Sequence, residues 1–160
     1  MAPVLVFDIE TIPDVDGIRR LENLPAGMSD AEVAEHAFAA RREKTGSDFL
    51  PHHLHRVMAI SCVFRDGRGF RVRSPGAPAD GEGTLIQSFF RTIEKYTPQL
   101  VSWNGGGFDL PVLHYRALIH GVRASRYWDM GEDERDFKWN NYINRYHVRH
   151  LDLMDLLAMY

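Results

Sequence analysis

The sequence of 160 residues contains one cysteine, no long apolar run and no excess of positive charge. Cys62 alone cannot form an internal disulfide, and its place in the apolar run 57–64 indicates a small buried core residue. A membrane helix needs about 20 consecutive apolar residues, and none of that length is present. The apolar N-terminal stretch lacks preceding positive residues and soon meets Asp8, which argues against a secretory signal. We therefore expect a cytoplasmic protein with no membrane partner.

The formal net charge of −3 argues against a protein that coats nucleic acid through a generally positive surface. It leaves open an enzyme that holds a strand end through metal ions, since such an enzyme needs fewer Lys and Arg residues. With 44% hydrophobic and 26% charged residues, the composition is that of an ordinary globular protein. The length suits one domain with its own core.

Apolar periodicity and turn signals predict strands and helices in mixed order. The predicted strands are Pro3–Ile9, Arg56–Phe64, Gly69–Arg73 and Gln99–Trp103. The predicted helices run from a capping box at Ser29 and Glu32 to Lys44 and cover Thr84–Tyr96, Leu110–Ile119 and Leu151–Tyr160. The first strand is apolar on both faces, which predicts a central strand covered on both sides. This order predicts an α/β fold, a mixed sheet flanked by helices, in a single domain over residues 1–160.

Two carboxylates stand two residues apart where the first strand ends, in Val4-Leu5-Val6-Phe7-Asp8-Ile9-Glu10-Thr11. Side chains alternate along a strand, so Asp8 and Glu10 share a face, with their stems roughly 6–7 Å apart. Negative charges this close repel each other unless a cation lies between them. Because hard divalent ions prefer oxygen ligands, the pair indicates a metal site.

A glycine-rich turn follows the last predicted strand, in Ser102-Trp103-Asn104-Gly105-Gly106-Gly107-Phe108-Asp109. We expect its three glycines to allow positive φ angles and a close approach of the backbone to a ligand. Asp109 would stand near the N-terminus of the next helix, where the dipole favours its ionised form. Sites in such sheets gather at the carboxyl ends of strands. The turn therefore predicts a third carboxylate beside the acidic pair.

These two segments resemble the first and second motifs of the DEDD superfamily of 3′–5′ exonucleases. Residues 7–14 and 103–113 are most similar to the predicted bacterial exonucleases related to the proofreading domain of family-B DNA polymerases. Softer similarity extends from Val4 to Leu157. The resemblance implies an RNase H-like, DnaQ-like fold. It also implies metal-dependent hydrolysis of phosphodiester bonds at the 3′ end of a single-stranded nucleic acid, DNA in a repair or proofreading role.

The resemblance implies roles for individual residues. The catalytic residues, which would hold two divalent ions, Mg²⁺ or Mn²⁺, are Asp8, Glu10 and Asp109. The substrate-binding residues would be Thr11 at the terminal sugar, Asn104 at the strand end and Phe108 stacked on the terminal nucleotides. From the residues alone, Asn104 is more often a turn former than a ligand contact, and Phe108 is equally a core residue.

The superfamily places a fourth carboxylate in a third motif, Tyr-x3-Asp or His-x4-Asp. The sequence contains no Tyr-x3-Asp, and His147 with Asp152 and His150 with Asp155 fit the second spacing. The segment 150–157 resembles the stretch before that motif, so we interpret Asp152 as a helix cap and expect the third motif beyond Tyr160.

Lacking this ligand, residues 1–160 would bind metal weakly and be a poor nuclease. The alternative is a non-catalytic RNase H-like module that binds nucleic acid or a protein. A Tyr-x3-Asp encoded beyond Tyr160 would decide for the exonuclease. His52, His53 and His55 lie in a loop with Pro51 and without cysteines, which indicates polar loop residues rather than a zinc site.

Overall fold

The computed structural model describes residues 2–77 and 79–159, and at its centre lies a five-stranded mixed sheet. The strands, in the spatial order β3-β2-β1-β4-β5, are β1 (Val4–Pro13), β2 (His55–Asp66), β3 (Gly69–Arg73), β4 (Gln99–Ser102) and β5 (His150–Asp152). β1 pairs antiparallel with β2 and parallel with β4, and β4 pairs parallel with β5. The carboxyl ends of β1, β4 and β5 therefore meet at one edge of the sheet.

The helices are α1 (Val15–Glu22), α2 (Asp30–Thr45), α3 (Glu82–Tyr96), α4 (Asp109–Ile119), α5 (Ser125–Trp128) and α6 (Leu153–Leu157). The predicted capping box is confirmed, because Ser29 and Glu32 each bond the other's backbone N–H. Gly46 ends α2 in the left-handed conformation, as expected from its sequence position. α1 was not predicted from the sequence. The Asp14 side chain caps it by accepting the N–H of Gly17.

The main core lies on one face of the sheet. Alternate residues of β1, including Leu5 and Phe7, are buried there, and Phe7 packs against Phe89 of α3 with ring centroids 5.0 Å apart. α4 contributes Leu110 and Leu113 to the same core. Cys62 of β2 is buried in it as well, as its apolar surroundings predict.

The prediction that β1 is covered on both sides is wrong. β1 is central, but its second face carries Val6, Asp8 and Glu10, all of them exposed. Phe70 and Val72 of β3 are also exposed. Among the described residues, the helices of the main core pack on the face of the sheet that carries Leu5 and Phe7. Val4 and Val6 make the second face partly apolar, but apolar side chains cannot show whether another element covers that face.

A smaller core joins α1, α2 and residues 46–54. It consists of Ile18, Val33, Ala37, Leu50 and Leu54. Buried Arg116 of α4 connects this unit to the main core, since it pairs with Asp14 at the start of α1 and with Glu82 at the start of α3. The helical segment between β1 and β2 is thus fixed to the sheet domain by charge as well as by apolar contact.

The predicted C-terminal helix Leu151–Tyr160 is also partly wrong. Residues 150–152 form β5, because their backbone groups pair with Leu100, Val101 and Ser102 of β4. The helix that follows, α6, has five residues and is capped by Asp152, whose side chain accepts the N–H of Met154. Tyr160, the last residue of the predicted helix, lies outside the described residues. None of the described helices is both long and apolar enough to cross a membrane.

Candidate active site

Asp8 and Glu10 lie on the exposed face of β1, as strand alternation predicts. Opposite them on β2 stand Ser61 and Ala59. The register shifts immediately after Glu10, so that Thr11 faces Val57. The unpaired residue, Met58, belongs to β2, so the pairing of the two strands becomes irregular where the acidic pair ends.

Asp109 joins the acidic pair through the backbone. β1 and β4 pair only as far as Val6 and Val101, and farther along β1 the N–H of Ile9 donates to Oδ1 of Asp109 at 3.1 Å. This N–H belongs to the residue between the two carboxylates. Asp109 is only 4% exposed. The structure therefore brings the third predicted carboxylate to the same strand end.

The surroundings of Asp109 are electrostatically unfavourable to its charge. Burial, and next the negative charge of Asp8, raise its pKa to about 6, and Asp152 adds to the effect while the Ile9 N–H opposes it. Within residues 2–77 and 79–159, no Lys, Arg or His forms an ion pair with Asp8, Glu10 or Asp109. The helix dipole was expected to keep Asp109 readily ionised, but burial and the nearby negative charges outweigh it.

The glycine turn owes its shape to close packing, and its left-handed residue is not a glycine. Asn104 adopts φ 56°, whereas Gly105, Gly106 and Gly107 keep φ values that other residues can adopt. The prediction of positive φ at the glycines is thus corrected. A Cβ on Gly105 would stand 2.1 Å from Oγ of Ser102, and one on Gly107 would stand 2.5 Å from Oδ1 of Asn104. The glycines are needed for space.

Asp152 fixes the turn from the neighbouring strand. Its Oδ1 accepts the N–H of Asn104 at 2.8 Å, and its Oδ2 accepts the N–H of Gly106 at 3.0 Å. Because the same side chain caps α6, its interpretation as a helix cap is confirmed. Beside it, Nε2 of His150 lies 2.7 Å from Oγ of Ser102. His147 accepts the N–H of Asn141 at Nδ1.

Asn104 and Thr11 both have partners within the protein. The Asn104 carbonyl accepts the N–H groups of Gly107 and Phe108, so this residue forms the turn as its type suggests. The Thr11 hydroxyl lies 3.1 Å from Nδ1 of His55. The predicted contacts of these two residues with a substrate stay predictions.

Phe108 lies between the core and the surface. It is half-buried and packs against the main core, while its ring contacts Phe49, His52 and His55 at centroid distances of 5.5, 6.1 and 5.0 Å. Phe108 is therefore partly a core residue, and its predicted stacking on a nucleotide stays a prediction. Phe49 is 50% exposed, so the cluster presents aromatic surface to solvent beside Asp109.

The histidine loop reaches the site, which sequence reasoning missed. His52 donates from Nε2 to the carbonyl of Gly107 at 3.0 Å, and His55 donates from Nε2 to the carbonyl of Leu50 at 3.1 Å. Burial lowers the pKa of His55, which leaves its Nδ1 free to accept the Thr11 hydroxyl. The sequence separates this loop from the second motif by about fifty residues, and only the antiparallel return of β2 brings the two together.

The three carboxylates are the kind of ligand that a hard divalent cation prefers, but their side chains do not surround a single point. Asp8, Glu10 and Asp109 offer carboxylate oxygens, and a cation would offset the charge of Asp8 that raises the pKa of Asp109. In the part of the chain that the structure describes, no three His, Cys, Asp or Glu side chains are grouped closely enough to hold a metal ion. The predicted ligands therefore lie along the same edge of the sheet without forming a compact metal site.

Comparison with known proteins bears on the same segment. A family model described as a predicted 3′–5′ exonuclease related to the exonuclease domain of PolB matches residues 47–160. No curated protein matches the chain. Among solved structures, the fold is similar to a family B DNA polymerase from the hyperthermophilic archaeon Pyrobaculum calidifontis, with a TM-score of 0.54 and 18% identity. That similarity covers 100% of this chain and 16% of the polymerase chain.

Proposed function

The chain belongs to the family of predicted 3′–5′ exonucleases related to the exonuclease domain of PolB, and from this premise we propose a metal-dependent exonuclease. It would remove nucleotides from the 3′ end of a single strand, with DNA as the preferred substrate. The match begins at residue 47, so it contains the second motif and leaves out Asp8 and Glu10. Their part in the reaction rests on geometry.

The hydrogen bond from Ile9 to Asp109 is the observation that supports this function most directly. It joins the acidic pair of β1 to the second motif, which the family model does match. Two motifs far apart in sequence thus share one strand end. A purely structural Asp would be expected to pair with a cation of the protein, whereas Asp109 faces two further carboxylates.

Asp8, Glu10 and Asp109 would hold the divalent ions, Mg²⁺ or Mn²⁺. When bound, such ions supply an activated water and offset the charge that develops on the departing 3′ oxygen. The protein positions these groups. The Ile9 N–H fixes one oxygen of Asp109, and Asp152 holds the glycine turn that carries Asp109 into α4.

Substrate contacts would come from the rim of the same edge. Phe108 presents a ring beside Asp109, and stacking on it would tolerate any base. Thr11 and Asn104 would approach the terminal sugar and the strand end. Stacking favours a single strand, because an unpaired base can be placed on a ring without the cost of breaking a base pair.

A nuclease assay on the chain tests the proposal. A 5′-labelled single strand incubated with Mn²⁺ or Mg²⁺ should give a slow ladder that shortens from the 3′ end. A circular single strand of the same composition should stay intact. Asp8→Asn and Asp109→Asn should remove the ladder while circular dichroism shows an unchanged fold. Parallel DNA and RNA strands establish which sugar is preferred.

The absence of a three-ligand group among the described residues favours a second candidate, a binding module without catalysis. The same assay separates the two. If the strand binds the chain but no metal gives an Asp8-dependent ladder, the exonuclease proposal fails and the binding module stands.

A further inference from the structure

We propose that Phe49 is a base-stacking residue of this site, supplied by the loop between α2 and β2. Its exposed ring, together with Phe108, would form a wall against which a nucleobase at the 3′ end of the strand packs. This inference rests on the proposed function and extends it to a residue outside both sequence motifs.

The position of Phe49 is fixed by contacts that reach both motifs. Its ring meets Phe108, the neighbour of Asp109, at 5.5 Å and His55 at 5.3 Å. His55 in turn bonds Thr11, which directly follows Glu10. The ring therefore lies at the carboxylate edge of the sheet.

The loop holds the backbone of Phe49 in place. The Phe49 carbonyl accepts a hydrogen bond from Nε of Arg41 at 2.9 Å, and its N–H donates to Oγ of Ser47 at 3.2 Å. The next residue, Leu50, is 3% exposed and anchors the smaller core. A half-exposed ring on a fixed backbone, already in contact with Phe108 and His55, loses little conformational freedom when a ligand packs on it.

The ring is apolar, while the edge beside it is acidic. A partner must therefore offer a flat π face to the aromatic wall and tolerate or bridge carboxylates nearby. A nucleobase at the end of a strand meets the first requirement, and its phosphate meets the second through divalent ions. An aromatic side chain of a protein meets only the first.

The test measures binding separately from cleavage. A 5′-fluorescein single strand with phosphorothioate linkages at its 3′ end, which resist cleavage, is titrated with the chain in Ca²⁺, an ion that oxygen ligands bind. Fluorescence anisotropy gives Kd. The variants are Phe49→Ala, Phe49→Leu and Phe49→Tyr, and the matched control is Phe70→Ala. Phe70 is 74% exposed on β3, at the far edge of the sheet.

We expect Phe49→Ala to raise Kd on the order of 10-fold. Phe49→Leu should lose most of the same affinity, and Phe49→Tyr and Phe70→Ala should bind like the wild type. A strand with an abasic site at its last or penultimate position should bind the wild type as weakly as the intact strand binds Phe49→Ala. The same abasic site should cost Phe49→Ala little further affinity.

Equal binding by the wild type, Phe49→Ala and Phe49→Leu would overturn the inference. It would also be overturned if Phe49→Ala lost the same affinity, relative to the wild type, on intact and abasic strands. If Phe49→Ala does not fold, Phe49→Leu and Phe49→Tyr carry the comparison. Nuclease activity without any effect of Phe49 leaves the proposed function standing and removes this residue from it. Failure of the wild type to bind any strand rejects both.

Discussion

The N–H of Ile9 donates a hydrogen bond to Asp109 across 100 residues of sequence. This bond holds a buried carboxylate between Asp8 on one strand end and Asp152 on another, with the pKa of Asp109 raised to about 6. A raise from 3.8 corresponds to about 3 kcal/mol of unfavourable free energy for the ionised group. The site is therefore built at the expense of stability, as functional sites often are.

Replacing Asp109 by Asn should stabilise the metal-free protein at about pH 8 by roughly 1–3 kcal/mol. The amide oxygen can still accept the Ile9 N–H, and the repulsion from Asp8 disappears. Because the pKa of Asp109 is raised in the folded state, the stability that its protonated form contributes is complete below pH 3.8. It is lost as the pH rises through about 6. Urea unfolding in EDTA should thus show a gap between variant and wild type that widens from acid to neutral pH. A gap that does not change with pH would contradict this.

Divalent ions should stabilise the folded wild type, since they bind the carboxylate edge only when the chain is folded. At a concentration about 100 times Kd, the gain of roughly 2.7 kcal/mol would raise Tm by about 5–10 °C. Calorimetric scans with and without Mn²⁺ measure the shift. Asp8→Asn should shift much less, and Asp66→Asn, on the far hairpin, should shift like the wild type.

Replacing Arg116 by Met should destabilise the fold by about 3–5 kcal/mol, because it leaves Asp14 and Glu82 buried without the guanidinium that pairs with both. Burial disfavours ionisation of both carboxyls, but hydrogen bonds, above all those from Arg116, outweigh it and lower their pKa values. A carboxyl whose pKa is lower in the folded protein stabilises the fold at pH values above its ordinary pKa. This stabilisation is lost as the pH falls through the pKa of the folded state.

Wild-type stability should therefore decline below about pH 4, and the decline should be shallower in Arg116→Met. Arg91→Met serves as a control, since Arg91 is exposed on α3. Chemical unfolding across acid pH measures both effects. Equal losses in the two variants would show that the buried ion network contributes nothing specific.

Two neighbouring glycines should respond differently to the same methyl group. In Gly105→Ala, the new Cβ would stand 2.1 Å from Oγ of buried Ser102, so the turn must shift and carry Asp109 with it. In Gly106→Ala, the new Cβ would lie 3.4 Å from Oδ2 of Asp152, which is nearly ordinary contact. We expect a loss of about 1–3 kcal/mol for Gly105→Ala and little change for Gly106→Ala. Thermal unfolding and the nuclease assay together check the pair.

Local patterns predicted much of the fold because they are set by neighbouring residues. The Ser29–Glu32 capping box and the Gly46 stop are interactions within one helix, and both are confirmed. Residues 150–152 misled the prediction because their apolar spacing fits a helix, whereas pairing with β4 satisfies their backbone groups as a strand. Local periodicity cannot anticipate a partner strand about fifty residues away.

By itself, the sequence determined that Asp8 and Glu10 share a strand face, since alternation is a property of the strand alone. It also determined the family, because residues 47–160 match it. Only the tertiary structure decided what surrounds Asp109 and raises its pKa, and only it brought Phe49, His52 and His55 to the site. The reason is physical: charge repulsion and aromatic contact depend on distances in space, and those are fixed by strand pairing across the whole sheet.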